Sequence, residues 1–255
     1  MNGKSVVNRR EQIINIVRSV GKIDTEDVAK LFDVSKETIR QDFLYLEEKG
    51  ILEKVYGGAV IKNSNEVGTL LIRQNENFLA KDKIAKKALE YIPKHECVVA
   101  LDTGSTVALL GYYISQRKNL LVVSNSHRVL QSLVNTDNRI LALGGEYNKA
   151  EMAYYTDGFP QILKDITIDI YFIGTSGVMN RNGIYSKEFQ ESFTKKNIMS
   201  RSNKKIVLMD SSKFRTTSLV EVAPWSMVDM VITDEEIPKE SKELLEQYTE
   251  VIIAR

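Results

Sequence analysis

From Cys97 onward the sequence alternates short apolar runs with helix-like segments, and this alternation restricts the fold more than any other feature. Six runs have the length and composition of buried strands: Cys97–Leu101, Leu120–Val123, Ile140–Leu143, Ile168–Ile173, Ile206–Met209 and Met230–Thr233. Glu250–Ala254 is a candidate seventh strand. Apolar strands that alternate with helices are typical of βαβ units. The pattern therefore predicts a doubly wound, mainly parallel sheet that is covered on both faces.

Two short helical segments near the start of the chain meet at a tight joint. Thr25–Phe32 has helical apolar spacing, and only Asp33 and Val34 separate it from the second helix, which starts at Ser35 within the stretch Val34–Gly50. In that second stretch Ser35 suits the N-cap and Gly50 suits the left-handed residue that ends a helix. Two helices joined this closely indicate a helix-turn-helix, whose second helix lies in the major groove of DNA.

The second helix has two distinct faces. Ile39, Phe43 and Leu46 recur at helical spacing and are expected to point into a small core. The opposite face is mostly polar and consists of Lys36, Glu37, Arg40, Gln41 and Leu44. We expect Arg40 and Gln41 to reach base edges, and Lys36 and Lys54 to contact phosphates.

The flanking segments complete a winged helix-turn-helix. Arg9–Val20 is an amphipathic helix, and Ile51–Ile61 contains two β-prone arms around Gly57-Gly58, which is a tight-turn signal. The alternative is a small helical domain with a hairpin and no DNA to bind. We place this domain at residues 1–62, a linker at 63–80 and an α/β effector domain at 81–255. Leu70–Glu90 looks helical, either as a connecting or oligomer-forming helix or as the first helix of the second domain.

The charge of the first domain limits this interpretation. Residues 1–60 contain ten Lys/Arg and ten Asp/Glu, whereas phosphate contacts normally supply most of the affinity for DNA. The charges must therefore be segregated. We expect five basic residues to face the duplex, namely Arg9, Arg10, Lys36, Arg40 and Lys54, and Glu47, Glu48 and Glu53 to face away. A DNA-binding domain with so little net positive charge is expected to bind as part of a dimer or larger assembly, so that two half-sites contribute to the binding free energy.

Polar and glycine-containing turns follow four of the predicted strands. They are Asp102–Thr106, Gly144–Gly145, Gly174–Gly177 and Asp210–Lys213. Ligands of open α/β sheets bind beyond the carboxyl ends of the strands, and backbone N–H groups at helix starts suit phosphate. These turns predict a phosphorylated small ligand, with Lys213 as a charge for the phosphate and Asp102 or Asp210 as acceptors for sugar hydroxyls. The alternative is that they are ordinary βα turns.

Several other classes of site find little support in the sequence. We expect no metal or cofactor site, because His95 and His127 lie in separate segments and Cys97 lies in an apolar run. The two histidines are expected at the surface and Cys97 in the core. GxSxG and P-loop patterns are absent from the sequence. There is no secretory apolar core in the first 25 residues and no long apolar run, which predicts a cytoplasmic location.

Motifs along nearly the whole chain resemble the DeoR family of bacterial sugar-metabolism regulators. The first domain is similar to the family in RREQIINIV and in VSKETIRQDFLYLEEKGILEKVYGGAV. The second is similar in LDTGST, VVSNS, LGGEYN, FIGTSGV, NGIYS, LMDSSKF and VITDEE. The resemblance implies an oligomeric repressor that a phosphorylated sugar or related metabolite releases from its operator. It also implies an effector domain similar to ribose-5-phosphate isomerase and CoA-transferase folds, without catalysis.

The polar face of the second helix, the predicted turns and the resemblance together predict which residues form the two sites. The DNA-binding residues would be Ser35, Lys36, Thr38, Arg40, Gln41, Lys54, Tyr56, Gly57 and Gly58. The effector-binding residues would be Asp102, Gly104, Ser105, Thr106, Gly144, Gly145, Gly174, Ser176, Gly177, Asp210, Ser212 and Lys213. Glu191 and Lys195 match a charged pair on the helix after NGIYS. Gln41, Phe43, Lys54, Tyr56 and the EYN after Gly145 depart from the family pattern.

Two other classes of function stay open at this stage. Glycine-containing turns of this kind also occur in sugar-phosphate isomerases, so the second domain is compatible with an enzyme. A transcriptional activator, or a scaffold that uses the helical domain for protein contacts, would have the same domain order.

Overall fold

The computed structural model describes residues 3–61, 77–156, 158 and 160–255. The chain divides into two compact units, Met1–Leu79 and Ala80–Arg255. The predicted linker at residues 63–80 lies mostly outside the described residues. The first part of the helix predicted at Leu70–Glu90 also lies outside them, and the described part of that helix is α4 (Phe78–Leu89). Among the described residues, no helix combines the length and hydrophobicity that crossing a membrane requires.

The first unit has the predicted helices and hairpin. Its elements are α1 (Gly3–Val20), β1 (Lys22–Asp24), α2 (Thr25–Phe32), α3 (Lys36–Glu48), β2 (Leu52–Val55) and β3 (Gly58–Ile61). The strands form an antiparallel sheet in the order β1-β3-β2. The three-residue strand β1 was not predicted, and α1 begins at Gly3, earlier than the predicted Arg9.

The core of the first unit confirms the predicted faces of its helices. Ile39, Phe43 and Leu46 of α3 are at most 2% exposed, and Ile13 and Val17 of α1 are fully buried. Ser35 caps α3 by accepting a hydrogen bond from the backbone N–H of Thr38 at 3.0 Å. Hydrophobic burial on one side of α3 therefore fixes which residues it leaves on the other side.

A buried carboxylate joins α1 to α3. Asp42 is 1% exposed and accepts from the Nε atoms of Arg9 at 2.6 Å and Arg10 at 2.7 Å. The Arg10 guanidinium also stacks on Tyr45, 3.8 Å from the ring centroid. The expectation that Arg9 faces the duplex is therefore wrong, because its side chain is buried against Asp42. Arg10 is half-buried, and for this residue the expectation stays a prediction.

A seven-stranded parallel sheet organises the second unit. Its strands are β4 (Cys97–Leu101), β5 (Leu120–Ser124), β6 (Arg139–Ala142), β9 (Ile168–Gly174), β11 (Ser202–Leu208), β13 (Met230–Asp234) and β14 (Glu250–Ala254). They lie in the order β14-β13-β11-β9-β4-β5-β6 and every neighbouring pair is parallel. This confirms the predicted sheet, including the candidate seventh strand. Adjacent residues Val99, Ala100 and Leu101 are all fully buried, so both faces of β4 are covered.

Helices and small antiparallel strand pairs lie in the segments that connect these strands. The helices are α5 (Ser105–Ile114), α6 (His127–Leu133), α7 (Phe189–Met199) and α8 (Lys239–Leu245). Two small antiparallel pairs were not predicted: β7 (Glu146–Asn148) with β8 (Ala153–Tyr155), and β10 (Gly183–Ser186) with β12 (Val220–Pro224). Cys97 is 5% exposed in β4 and burial raises the pKa of its thiol, as expected for a core cysteine.

Asp42→Ala is expected to destabilise the first unit by about 3–5 kcal/mol, because it leaves buried guanidinium without its counter-charge. Thermal and urea unfolding of the full chain would measure the change. Glu37→Ala is the control: it removes an exposed carboxylate 3.4 Å from Arg40 and should change stability by about 0–1 kcal/mol. Equal effects of the two substitutions would show that the Asp42 contacts do not stabilise the fold.

Candidate DNA-binding surface and effector site

The exposed face of α3 carries the side chains that were predicted to reach DNA. Lys36, Glu37, Arg40 and Gln41 are exposed. The carboxylate of Glu37 accepts from Gln41 Nε2 at 3.0 Å and from Arg40 at 3.4 Å, and these hydrogen bonds lower the pKa of Glu37. Glu37 therefore holds the two predicted base-reading side chains next to each other. Thr38 is half-buried and its hydroxyl lies 2.8 Å from that of Ser35.

The two lysines predicted to contact phosphates, Lys36 and Lys54, make different contacts. Lys36 Nζ lies 2.7 Å from Glu26 Oε2, so a phosphate would have to displace this exposed ion pair. Exposed pairs of this kind contribute only about 0–1 kcal/mol, which makes such an exchange easy. The backbone N–H of Lys54 donates to Glu47 Oε1 at 2.8 Å, and this contact ties β2 to the end of α3.

The wing has an exposed tip on a buried base. Tyr56 is fully exposed, and Gly57 has a φ of +81°, which favours glycine. Gly58 begins β3, one residue past the turn, and is buried: a Cβ there would lie 1.9 Å from the carbonyl oxygen of Ile23. A groove of about 470 Å³ lies between α3 and the wing, with Arg40 and Lys54 among its lining residues. Gly58 thus fixes the wing from inside, whereas Tyr56 and Gly57 are on its surface.

The four predicted loops of the second unit lie along one edge of the sheet. Since all seven strands are parallel, their carboxyl ends share that edge. The loops after β11, β9 and β4 belong to consecutive strands, and Gly144–Gly145 follows β6, two strands beyond β4. The structure therefore brings the predicted residues to one edge, with the loop of β5 between those of β4 and β6.

The glycines of these loops divide into open and packed positions. Gly104, at the N-cap of α5, has a φ of +110° and no atom within 4 Å of a hypothetical Cβ, and Gly144 is similarly open. In contrast, a Cβ on Gly145 would lie 2.0 Å from Tyr155 O, and one on Gly177 would lie 2.5 Å from Thr216 O. Gly174 is similarly restricted, since its Cβ would lie 2.9 Å from Thr103 O. Open space at a glycine is where a ligand can approach the backbone.

A buried network of charges holds the loops of β4 and β9 together. Lys195 Nζ lies 3.0 Å from Asp102 Oδ2, 2.8 Å from Glu191 Oε1 and 2.8 Å from Gly174 O. The Asp102 carboxylate also accepts from the Gly174 N–H at 2.9 Å. Lys195, Asp102 and Glu191 are at most 5% exposed. Asp102 is thus committed to protein contacts, and the predicted Glu191–Lys195 pair is present.

Burial and the neighbouring charges shift the pKa values of this network. Burial raises the pKa of Asp102, although Lys195 opposes the shift. Burial alone would lower the pKa of Lys195, but the carboxylates of Asp102 and Glu191 raise it above its usual value. Tyr155 and Tyr171 are buried close by, and burial together with the two carboxylates raises the pKa of both phenols. At neutral pH the network therefore contains a charged Lys195 and neutral phenols.

The loop after β11 is arranged around Asp210. Asp210 is fully buried, and its Oδ1 accepts from the backbone N–H of Ser212 at 3.1 Å and from the Ser212 hydroxyl. Lys81 Nζ of α4, itself 3% exposed, lies 3.9 Å from Asp210 Oδ2. Lys213 is half-buried one residue further on, within the turn Ser211–Arg215. Asp210 shapes the loop, and Lys213 is the more accessible of the two predicted ligand groups.

The remaining predicted effector residues differ in accessibility. Ser105 is half-buried and Thr106 is 7% exposed, both in the first turn of α5, which is open to anions at its N-terminus. Ser176 is half-buried, and its backbone N–H donates to the carbonyl oxygen of Tyr185 at 2.9 Å. Ser105 therefore lies next to Gly104, the open glycine.

The β7–β8 hairpin, which was not predicted, adjoins the carboxyl end of β5 through the bridge between Ser126 and Ala153. His127 was expected at the surface, but its ring is half-buried and packs against Tyr147 and Tyr154, at centroid distances of 5.6 and 6.1 Å. Its Nδ1 lies 3.1 Å from the Tyr154 hydroxyl. His127 is therefore only partly at the surface, because tyrosines from the unpredicted hairpin pack against its ring. His95 is exposed, as predicted.

Comparison with known proteins identifies both units. Residues 9–65 match the DeoR-like helix-turn-helix domain, and residues 76–235 match the DeoR C terminal sensor domain. The chain belongs to the DeoR family. This confirms the resemblance that its motifs indicated.

Curated relatives of this DeoR-family protein are similar over almost their full length. A putative aga operon transcriptional repressor of Escherichia coli O157:H7 is 31% identical over 251 residues, covering 96% of this chain and 93% of the relative. An L-fucose operon activator of Haemophilus influenzae is 31% identical and covers 94% and 96%. A glycerol-3-phosphate regulon repressor of Escherichia coli K12 is 28% identical and covers 94% and 95%.

Among solved structures, ribose 5-phosphate isomerase A from Methanocaldococcus jannaschii is similar to this chain with a TM-score of 0.41 and 20% identity, covering 54% of each chain. The expected likeness to CoA-transferase folds stays a prediction.

Lys195→Met is expected to destabilise the second unit by about 3–5 kcal/mol, because two carboxylates would be left buried beside each other. Lys196→Met is a matched control, since the neighbouring lysine is exposed and its loss should change stability by at most about 0.5 kcal/mol. Urea unfolding of both variants would measure the difference. A Lys195→Met protein as stable as the control would contradict a stabilising role for the network.

Proposed function

We propose that this DeoR-family protein is a transcriptional repressor of a carbohydrate-metabolism operon, released from its operator by a phosphorylated sugar or related metabolite. The observation that carries the DNA-binding half is the exposed pair Arg40 and Gln41 on a helix whose other face is buried. The effector half rests on the open glycines and Lys213 along one edge of the sheet. Relatives named as repressors of the aga operon and the glycerol-3-phosphate regulon support the same function.

At the operator, we assign Arg40 and Gln41 to base edges and Lys36 and Lys54 to phosphates. Ser35, Thr38, Tyr56 and Gly57 complete the proposed surface, and Gly58 supports it from below. Arg and Gln side chains can each make paired hydrogen bonds to a base in the major groove. We further propose that the protein acts in the cytoplasm as a homo-oligomer, so that two recognition helices share one operator.

In the effector domain, we assign the ligand to the predicted loops, and the geometry divides their roles. Gly104, Ser105, Thr106, Gly144, Ser176, Ser212 and Lys213 are proposed to contact the ligand, with Lys213 neutralising its phosphate. Asp102, Gly145, Gly174, Gly177 and Asp210 are proposed to hold these loops in place through their buried contacts. Effector and operator would favour different arrangements of one oligomer, so each lowers the affinity of the other by the same factor.

A transcriptional activator is the second candidate, because the L-fucose operon activator is also 31% identical over nearly the whole chain. A reporter gene under the cognate promoter distinguishes the two: deletion of the regulator raises expression for a repressor and abolishes it for an activator. An enzyme acting on sugar phosphates is the third, and turnover of pentose or hexose phosphates by the purified protein would support it.

A thermal-shift screen against sugar phosphates tests the effector half directly, because a ligand that binds only the folded state raises its apparent stability. The operator half is tested by titration of duplex DNA at fixed salt. Failure of every sugar phosphate to shift the transition would refute the effector assignment, and salt-insensitive or absent duplex binding would refute the operator assignment.

Arg40→Ala should weaken operator binding by about 1–3 kcal/mol and relax specificity at the base that Arg40 reads. Lys49→Ala, at the opposite end of α3, is the matched control and should leave specificity unchanged. Titrations of operator and of single-base variants at one salt concentration would measure both effects. Unchanged binding by Arg40→Ala would mean that this face of α3 does not read the operator.

Lys213→Ala should leave operator affinity intact and abolish release by the effector. A wild-type coupling of about 1–3 kcal/mol corresponds to roughly 5–150-fold weaker DNA binding when the effector is present, and this factor should fall towards one. The measurement is operator affinity with and without the sugar phosphate found in the screen. Arg215→Ala, an exposed cation in the same turn, is the control. Normal release of Lys213→Ala would refute its role.

A further inference from the structure

Asn125 is a buried side chain at the effector edge that the proposed function does not use. It directly follows Ser124, the last residue of β5, and is 1% exposed. Its side-chain Nδ2 donates to the backbone carbonyl oxygen of Tyr154 at 3.1 Å. The backbone carbonyl oxygen of Asn125 accepts from the backbone N–H of Tyr154 at 2.9 Å. Within the described part of the chain, its Oδ1 has no hydrogen-bond partner.

The contacts of Asn125 fix the orientation of its amide. Because Nδ2 must be the atom that faces the Tyr154 carbonyl, Oδ1 is turned away from that carbonyl. An amide oxygen accepts two hydrogen bonds, and burying it with neither made opposes folding. Most buried polar atoms have a partner, so an orphaned one calls for an explanation. A donor from a bound molecule would supply the missing hydrogen bond.

The position of Asn125 in the sheet indicates which bound molecule would supply the donor. In the sheet, β5 lies between β4 and β6, and the loops that follow both of these strands are proposed to bind the effector. Strands are about 4.8 Å apart, so those two loops are separated by about 10 Å. A ligand that touches both Gly104 and Gly144 therefore passes over the loop of β5. The donors that a phosphorylated sugar offers away from its phosphate are hydroxyl groups.

We propose that Asn125 is a specificity-determining residue of the effector site, whose side-chain oxygen accepts a hydrogen bond from a sugar hydroxyl. This inference rests on the proposed function and extends it to the end of the ligand remote from the phosphate. Buried groups that bind a hydroxyl discriminate strongly against analogues that lack it, because the protein atom is then left unpaired. Asn125 would thus select hydroxylated effectors over deoxy ones.

A purely structural role for Asn125 predicts something different. Its backbone and side chain both bind Tyr154, and Ser126 bridges to Ala153, so Asn125 also attaches the β7–β8 hairpin to the end of β5. If this attachment were its whole role, a substitution would weaken every ligand by the same factor. The two roles are therefore separated by how the loss depends on individual hydroxyl groups.

The test compares wild type, Asn125→Ala and Asn125→Asp. Affinities are measured calorimetrically for inorganic phosphate, ribose 5-phosphate, glucose 6-phosphate, galactose 6-phosphate and glycerol 3-phosphate. The monodeoxy derivatives of each sugar phosphate that binds are then compared with their parent. Asn148→Ala is the matched control, because Asn148 caps the tip of the same hairpin by accepting from the N–H groups of Ala150 and Glu151 at 2.9 and 3.2 Å.

If Asn125 reads a hydroxyl, Asn125→Ala should bind the parent sugar phosphate about 10-fold to 100-fold more weakly, and inorganic phosphate normally. Removing the hydroxyl in question should weaken binding to wild type by a similar factor but have no further effect on Asn125→Ala. Asn125→Asp loses the hydrogen bond to the Tyr154 carbonyl but keeps an acceptor oxygen, and should retain the dependence on that hydroxyl. Asn148→Ala should retain it as well.

Two results would overturn the proposal. One is an unchanged affinity of both Asn125 variants for the parent ligand. The other is a loss that is the same for the parent and every deoxy derivative, which would reduce Asn125 to an attachment point of the hairpin. If wild type binds none of the sugar phosphates, the proposed function itself fails and this inference fails with it. If Asn125→Ala does not fold, Asn125→Asp decides the question through its hydroxyl dependence.

Discussion

The second unit depends on an ammonium group buried beneath its loops. Lys195 Nζ contacts Asp102, Glu191 and the carbonyl of Gly174 within 3.0 Å, where almost no water reaches any of the three side chains. Removing one partner from such a group leaves an uncompensated charge, so the members stabilise the fold together. Asp102 follows β4, Gly174 ends β9, and Glu191 and Lys195 belong to α7. The network therefore fixes the distance between the loops that follow β4 and β9.

The first unit uses the same physical device on a smaller scale. Asp42 of α3 binds Arg9 and Arg10 of α1 and thereby joins the two helices. The consequence for charge is as important as the consequence for packing. Of the ten cations in residues 1–60, Arg9 and Arg10 are paired with Asp42, and Lys30, Lys36 and Arg40 are paired with exposed glutamates. Recognition by this unit therefore depends on a few well-placed groups more than on a strong positive field.

The sequence was informative where a signal is local and periodic. Ile39, Phe43 and Leu46 repeat at helical spacing, and short apolar runs such as Cys97–Leu101 that end in polar, glycine-containing turns are typical of buried strands, so the helices of the first unit and the large sheet were predictable. Fully parallel pairing also makes the carboxyl ends meet, which is why the four loops could be grouped before their geometry was known.

What the sequence could not reveal depends on contacts between distant residues. Arg9 and Asp42 are 33 positions apart, and nothing near Arg9 distinguishes it from a cation that faces DNA. The β7–β8 and β10–β12 strands are three to five residues long and carry Tyr, Asn and Glu among their residues, so they lack the apolar runs that mark the large sheet. The environments of His127 and Asn125 follow from the first of these pairs and were hidden with it.

The buried network around Lys195 and the β7–β8 hairpin are expected to take different parts in the response of the sensor unit to its ligand. A ligand can shift an equilibrium only by the difference between its affinities for the two states. The buried network around Lys195 would be the same in both states, because breaking it is too unfavourable. The difference between the two states is then expected in elements that no buried charge holds in place. The β7–β8 hairpin is attached to the end of β5 by neutral hydrogen bonds, and each of these contributes only about 0.5–1.5 kcal/mol. A ligand hydroxyl that binds Asn125 would therefore act on the contact between this hairpin and β5.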